Sequence, residues 1–496
     1  MAKNSVRTSG AQQRSAVALA TEDSPTASLA AIRVGESPLD DSGQHLKIRE
    51  RLAYGVGDIG GNLIFAPVSA FLLFYFTDVV GIGAAIAGTL LLLGRVLDGT
   101  LDLIVGTLID RTDTKWGKAR PWILFSAPVL VISFILLFNV PAGLSTTGKE
   151  IYAFVFYFLC LGVGFVGSNL AYHTLLSVIT SSTKMRVSLT VLRTFFAIFT
   201  TLVVSVITIP IITSLGGGQS AWSTVALTYG IIAFVTFIVL FLGTKERVRA
   251  VLPPEKGSKL PLRTKIGHLV RNPYFFLAFA FFLLTYLLTG SQSVGIYFAK
   301  DVLGDPNVYS LLGLVGILPM LIGIWFMAPI VGRLGKRKSM LIGISISIVG
   351  GVVALIDPTN LTLVLLGAVI RGIGTIPSSA AMFALVADVV DYGEWKTGVR
   401  LDGMTYAAAT AGQNFGAGLG AALVGWILAA GAYNGAADVQ VASAVSAEIF
   451  LMLWLPLLIT IALGVIVYFL NVDKHLSQIQ RDLAARRADA SAVVEG

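Results

Sequence analysis

Cysteine is nearly missing from this chain. Cys160 stands alone, so no internal disulfide can form. Charge is scarce too: 13% of residues are charged, against about a quarter in an ordinary soluble domain. Histidine occurs at His45, His173, His268 and His475, and of these His173 falls inside an apolar run. One intramembrane histidine makes neither a zinc centre nor a nucleophile–base pair, so an embedded enzyme is not expected. There is no Gly-Lys-Ser/Thr phosphate loop, hence no sign of ATP drive. No cofactor is expected. Met1 to Gln44 is rich in Ser, Ala and Thr and has no apolar core for a signal peptide.

What the chain does have is apolar length. Hydrophobic residues make up 55% of it and the mean hydropathy is +0.80. About twelve runs can cross a bilayer, at roughly 20 residues each. They lie near 51–77, 84–110, 119–140, 150–178, 187–213, 222–243, 273–300, 307–332, 337–356, 359–388, 402–430 and 445–471. The expected fold class is an all-α membrane protein of twelve transmembrane helices.

The net charge of +8 does not point to nucleic acid, because Lys and Arg sit in short gaps between apolar runs. Arg111, Lys115, Lys118 and Arg120 follow the second run, and Lys184 and Arg186 the fourth. The gap after the sixth is basic from Lys245 to Arg271. Arg333, Lys336, Arg337 and Lys338 follow the eighth, and Lys396 and Arg400 the tenth. The opposite gaps hold Lys149 and Lys300. By the positive-inside rule this predicts a multi-pass protein of the cell membrane with both termini cytoplasmic.

The gap from Thr244 to Asn272, with Pro253, Pro254 and Pro261, divides the chain into two six-helix bundles. The expected organisation is a disordered cytoplasmic tail (1–47), a first bundle (48–243), a cytoplasmic linker (244–272), a second bundle (273–471) and a cytoplasmic tail (472–496), charged and amphipathic or frayed. A faint echo supports the division: Gly106 to Arg111 after the second run resembles Ala328 to Arg333 after the eighth. Matching halves fit a rocking transporter with its site at their interface.

Within the second run, Arg95, Asp98 and Asp102 fall at i, i+3 and i+7 and share one helical face. A charge in hydrocarbon costs at least about 2.5 kcal/mol. That face must therefore look into a cavity or water, as in a transporter. Two carboxylates one turn apart repel each other in low dielectric, and a proton or cation between them relieves this. The other reading is that both merely neutralise Arg95 and Arg193.

Three stretches carry a family resemblance. The first runs from Tyr54-Gly-Val-Gly57-Asp58 through Asn62 to Thr77-Asp78 and Gly81. The second is Arg95-Val-Leu-Asp98-Gly-Thr-Leu-Asp102, followed by Trp116-Gly117-Lys118-Ala-Arg120-Pro121-Trp122. The third is Asp388-Val-Val-Asp391-Tyr392-Gly393-Glu394-Trp395. Together they resemble the glycoside–pentoside–hexuronide:cation symporters of the major facilitator superfamily, the family of melibiose permease. The resemblance implies two six-helix bundles and uptake of a sugar with Na⁺ or H⁺. It implies that Asp98 and Asp102 hold the cation, and that Asn62, Asn169 and Arg193 fall on sugar-site positions. Asn414 stands where the family carries a lysine, and Ser379 where melibiose permease has a pocket aromatic.

The residues themselves allow this chemistry. Asn62 and Asn169 can donate and accept, as sugar hydroxyls require, or can join helices. Arg193 can fork onto a sugar or pair with an aspartate. His173 shares a face with Asn169 and can meet substrate or be structural. Tyr172 can stack on a sugar ring, and Gln413 and Asn414 offer polar lining. Asp110, Arg111, Lys118 and Arg120 are expected on the turn after the second helix. Asp388, Asp391, Glu394 and Arg400 are expected on the turn after the tenth. These are gate charges or solvated loop charges. The expected function is cation-coupled symport of a sugar or glycoside, working as a monomer. The alternative is a proton-coupled or uncoupled carrier of a non-sugar small solute.

Overall fold

A computed structural model of the protein describes residues 46–247 and 262–472, together with 478–479, 481–483 and 485–486. Contacts separate Met1–Lys47 from Ile48–Gly496. The tail expected at 1–47 lies outside the described residues except for Leu46 and Lys47, as do 248–261 of the linker and most of 472–496.

The spans are α1 (Ile48–Val80), α2 (Ala84–Arg111), α3 (Arg120–Leu137), α4 (Thr146–Ile179), α5 (Thr183–Ser214) and α6 (Gln219–Gly243). After a short helix, Leu262–Val270, come α7 (Pro273–Val302), α8 (Val308–Leu334), α9 (Lys336–Leu355), α10 (Leu361–Thr397), α11 (Asp402–Ala430) and α12 (Ala442–Phe469). Eleven of these are long and apolar enough to cross a membrane as they stand. The twelfth, α8, is bent by 43° between Gly323 and Trp325. Pro319 and Pro329 flank the bend, and each removes an N–H from the helical ladder. No strand occurs among the described residues.

The helix ends follow local chemistry. Ser145, Ser182 and Asn360 accept from backbone N–H groups at the starts of α4, α5 and α10. Gly398, at φ +71°, ends α10 in the left-handed conformation that favours glycine. Apolar periodicity placed the end of that helix at 388, but it continues to Thr397. Its last turns carry polar residues and project past the apolar run. Asp388, Asp391 and Glu394 are therefore helical, and Arg400 alone of that group is in the turn. Likewise Asp110 and Arg111 belong to α2, and Arg120 opens α3.

Glycine sets the closest approaches. In the last six helices, Cβ atoms added at Gly416 and Gly420 on α11 would lie 2.3 Å from the carbonyl oxygens of Leu283 and Leu287 on α7. Between the halves, α2 packs on α11 and α5 on α8. On the α2–α11 seam, a Cβ at Gly425 would meet the Ala84 carbonyl oxygen at 2.4 Å, and one at Gly418 would meet Arg95 Cβ at 2.8 Å. Trp426 Nε1 donates across the same seam to Thr89 Oγ1 at 2.9 Å. In the C-terminal tail, Ile479 and Leu483 are helical and buried against the core of the last six helices.

Candidate functional site

A cavity of about 380 Å³ lies between the two halves. That suits a small-molecule cargo, since ligand pockets run from about 300 to 1,000 Å³. On α1, Asp58, Asn62, Phe65 and Ser69 line it at i, i+4, i+7 and i+11, one helical face. Arg95 enters from α2, Phe165 and Asn169 from α4, and Arg193 from α5. Tyr286 and Thr289 from α7, with Gln413 and Asn414 from α11, complete the wall. Asn62, Asn169, Arg193, Gln413 and Asn414 are thus brought together.

The charges form two groups. Arg193 Nε lies 3.4 Å from Asp58 Oδ1. Its guanidinium also covers the Tyr172 ring at 5.0 Å and meets both ring nitrogens of His173 at 2.9 and 3.3 Å. Tyr172 stacks on Tyr54 at 4.8 Å and donates to the Tyr54 carbonyl at 2.6 Å. Tyr172 and His173, read as able to meet substrate, lie against Arg193 and are not among the residues that line the cavity. Tyr172 is buried against Tyr54, whereas His173 is exposed beside Arg193.

In the second group, Arg95 Nη1 is 3.7 Å from Asp98 Oδ2, and Arg95 lies over the Phe65 ring at 5.0 Å. Asp98 is buried, and its Oδ1 has no hydrogen-bond partner. Asn414 Nδ2 donates to Asp102 Oδ2 at 3.3 Å, from the last six helices to the first. Asp98 and Asp102 sit behind Arg95 and Asn414 rather than in the cavity wall. Of the alternative reading, in which these two acids neutralise Arg95 and Arg193, the structure shows Asp98 with Arg95, while Arg193 pairs with Asp58.

Asp58 is the residue that sequence reasoning missed. It lay in the Tyr54–Asn62 motif, one turn before Asn62, and an acid at membrane depth is itself a signal. Asn62 Nδ2 donates to the Asp58 carbonyl oxygen at 2.9 Å.

The charges at the end of the molecule bearing the basic gaps pair within each half. Lys118 Nζ meets Asp110 Oδ1 at 3.0 Å, and Arg111 is exposed at the end of α2. Arg120 donates to the Phe241 carbonyl oxygen at 2.7 Å and lies over that ring. Glu246, which the sequence did not flag, accepts from the backbone N–H groups of Lys118, Ala119 and Arg120 at 2.8 to 3.0 Å. It caps α3, where the helix dipole favours an anion. In the last six helices Lys336 pairs with Asp388, while Arg400 reaches Glu394 at 2.6 Å, Asp402 at 2.7 Å and Asp391 at 3.0 Å. Burial works against the Arg400 charge, but these three acids outweigh it and raise its pKa above the usual arginine value. At the opposite end the halves are joined directly: Lys300 Nζ meets Asp78 Oδ1 at 2.6 Å.

Comparison with known proteins agrees with this arrangement. A family profile described as MFS/sugar transport protein matches residues 53–474. The isoprimeverose transporter of Lactiplantibacillus pentosus is 34% identical over 90% of this chain and 93% of its own. The glucuronide carrier protein homolog of Escherichia coli (strain K12) is 32% identical over 79% of this chain and 85% of its own. Among solved structures, a D-xylose-proton symporter shares the fold, with a TM-score of 0.58 at 14% identity over 81% of this chain and 96% of that one. Its low identity speaks for fold alone. The protein is a multi-pass membrane transporter and not an enzyme. The chain belongs to the glycoside–pentoside–hexuronide:cation symporter family of the major facilitator superfamily.

Proposed function

We propose that this transporter carries a neutral sugar or glycoside together with one cation, Na⁺ or H⁺, by alternating access. One observation carries the reading. The site holds three acids, Asp58, Asp98 and Asp102, and two bases, Arg95 and Arg193. Each base has an acid, and Asp102 has only an amide. A buried site short of one positive charge is relieved by one monovalent cation. The bare Asp98 Oδ1 is an acceptor ready for it. A carboxylate-bearing cargo such as a glucuronide would deepen the deficit, which favours a cargo without charge. Asn62, Asn169 and Gln413 supply donors and acceptors for hydroxyls, and Phe65, Phe165 and Tyr286 supply apolar faces.

In this reading the basic end faces the cytoplasm and the protein sits in the cell membrane. It works as a monomer, with its own two halves as the rocking units. Cation and cargo bind together at the midplane, and their differential affinity for the two postures drives the change. The charges on Asp110, Lys118 and Arg120, and on Asp388, Asp391, Glu394 and Arg400, then serve as gate pairs on the cytoplasmic side. The test is uptake by proteoliposomes of a panel of radiolabelled glycosides, under imposed Na⁺ or H⁺ gradients. We expect one gradient to drive accumulation, and Asp98→Asn and Asp102→Asn to abolish accumulation while leaving downhill flux. Accumulation at the normal level in both variants would reject the ion site. Failure of every glycoside to enter would reject the cargo class.

A further inference from the structure

The end of the molecule opposite the basic loops is closed by a polar cluster that reaches across both halves. From α1, Asp78 takes Lys300 Nζ at 2.6 Å, the Tyr433 hydroxyl at 2.9 and 3.1 Å and the Thr77 hydroxyl at 2.7 Å. Thr77 Oγ1 also meets the Tyr297 hydroxyl of α7 at 2.8 Å. Asp78 is therefore well supplied with donors.

Two further acids are not. Glu448 of α12 is 0% exposed, and neither of its carboxyl oxygens has a hydrogen-bond partner. Asp301, next to Lys300, has its Oδ2 buried in the same condition. The segments that carry them, at the end of α7 and the start of α12, pack together, and the two carboxyl groups are close enough to act on each other. Two bare carboxylates in that position repel, and neither can donate; one proton between them removes the repulsion and creates the missing bond. A metal ion is a poorer occupant. Among the described residues no three His, Cys, Asp or Glu side chains converge as metal ligands.

We propose that Asp301 and Glu448 form a proton site distinct from the central cavity, and that the shared proton latches this end of the transporter shut. With the proton bound, the pair is neutralised by half and Lys300 remains free to hold Asp78. When the carboxyl O–H bond breaks and the proton passes to water, both acids are charged beside Asp78, with Lys300 as the one cation among them. The groups that face the pair are Asp78 from α1, Tyr297 and Lys300 from α7, and Tyr433 from the α11–α12 connection. Repulsion among three carboxylates then favours parting the halves. Low pH keeps this end closed, and high pH opens it. The latch belongs to the alternating-access reading, but its test uses neither cargo nor coupling ion, so its failure would leave that reading standing.

Cys160 is the single cysteine, so Cys160→Ser gives a clean background. Exposed positions on the two halves, Ala142→Cys and Val439→Cys, then take spin labels. Double electron–electron resonance on the full-length protein reads the closed and open populations between about pH 5 and about pH 9. We expect the open-to-closed ratio to rise with pH, by up to about tenfold per pH unit. Glu448→Gln, whose amide can donate to Asp301 without a proton, should hold the closed distance throughout, and Asp301→Asn should do the same. A ratio that ignores pH in the parent protein would overturn the proposal, as would pH dependence that survives in both variants. Should the variants fail to fold, infrared difference spectra of the parent decide. A protonated-carboxyl band must vanish in step with opening, and its absence overturns the latch.

Discussion

The two halves of this transporter furnish the cavity differently. The first six helices bring every formal charge at the site: Asp58, Arg95 and Arg193 in the wall, with Asp98 and Asp102 behind. The last six bring neutral groups: Tyr286, Thr289, Gln413 and Asn414. Charges at membrane depth are tolerated when their partners are fixed in place. Holding both ion pairs within one rigid half meets that condition in every posture. At the cavity the neutral half can then move past without breaking an ion pair, giving up the bond from Asn414 to Asp102; the Lys300–Asp78 pair that joins the halves lies at the end of the molecule, away from the site.

This contrast can be broken by substitution. The largest effect should come from Arg193→Ala, which strands Asp58. Removing one partner of a buried pair costs about 3–5 kcal/mol. Thermal unfolding should show that loss, and transport should fall to background. Adding Asp58→Asn should restore much of the stability but not the transport. If Arg193→Ala alone is fully stable, the charged half is not held together as described.

Next is Gly416→Leu on the neutral half. A side chain there must displace the α7 backbone, since even a Cβ would sit 2.3 Å from the Leu283 carbonyl oxygen. Overpacking of this kind costs about 1–3 kcal/mol. A melting curve reads the loss, and ion selectivity in the surviving protein should be unchanged. Gly117→Ala should cost about 1–2 kcal/mol by the loss of a half-buried hydrogen-bonded anchor. Gly117 is at φ +104°, and its Cβ would collide with the Glu246 carboxyl group. Glu246→Gln, measured in the same melts, should reproduce part of that loss.

The smallest effect sharpens the contrast most. Asn414→Ala removes one hydrogen bond to a carboxylate, which at 3.3 Å is at the weak end of such bonds and worth about 1.5 kcal/mol. It should weaken the cation's apparent affinity about 10-fold or somewhat more, and leave sugar affinity nearly untouched. Gln413→Ala should do the reverse and raise the sugar KM several-fold, with cation dependence intact. Cation and cargo titrations of initial uptake rates separate the two. If both changes move both affinities equally, ion and sugar are not read by separate residues.

Much of this was legible in the sequence. The apolar runs place all twelve spans to within a few residues at most ends. The i, i+3, i+7 spacing puts Arg95, Asp98 and Asp102 on one face, of which Arg95 reaches the cavity wall while the two acids stay outside its lining. Asn62, Asn169, Gln413 and Asn414 were readable as cavity lining because each interrupts an apolar run. What escaped depended on tertiary pairing. Arg193 had Asp58, Asp98 and Asp102, all well inside the first two spans, to choose from, and the fold selects Asp58. Glu246 follows α6, far along the chain from the α3 terminus it caps, and no local pattern links them. The contacts of Tyr172 and His173 with Arg193 escaped for a related reason: helical spacing gives a shared face, but not which neighbour that face meets. The extra turns of α10 escaped because polar residues outside the apolar run carry no periodic signal.

The bare contact between α2 and α11 has one more consequence. Where Gly88 and Gly425 bring two backbones together, the side-chain tie beside them is the Trp426–Thr89 hydrogen bond. Once that bond lets go, two backbones in direct contact can roll on each other, so the seam fixes the axis of the swing. A bulky group lodged there would jam the carrier in one posture whatever was bound at its centre. A small hydrophobic inhibitor aimed at that groove need not resemble the cargo at all.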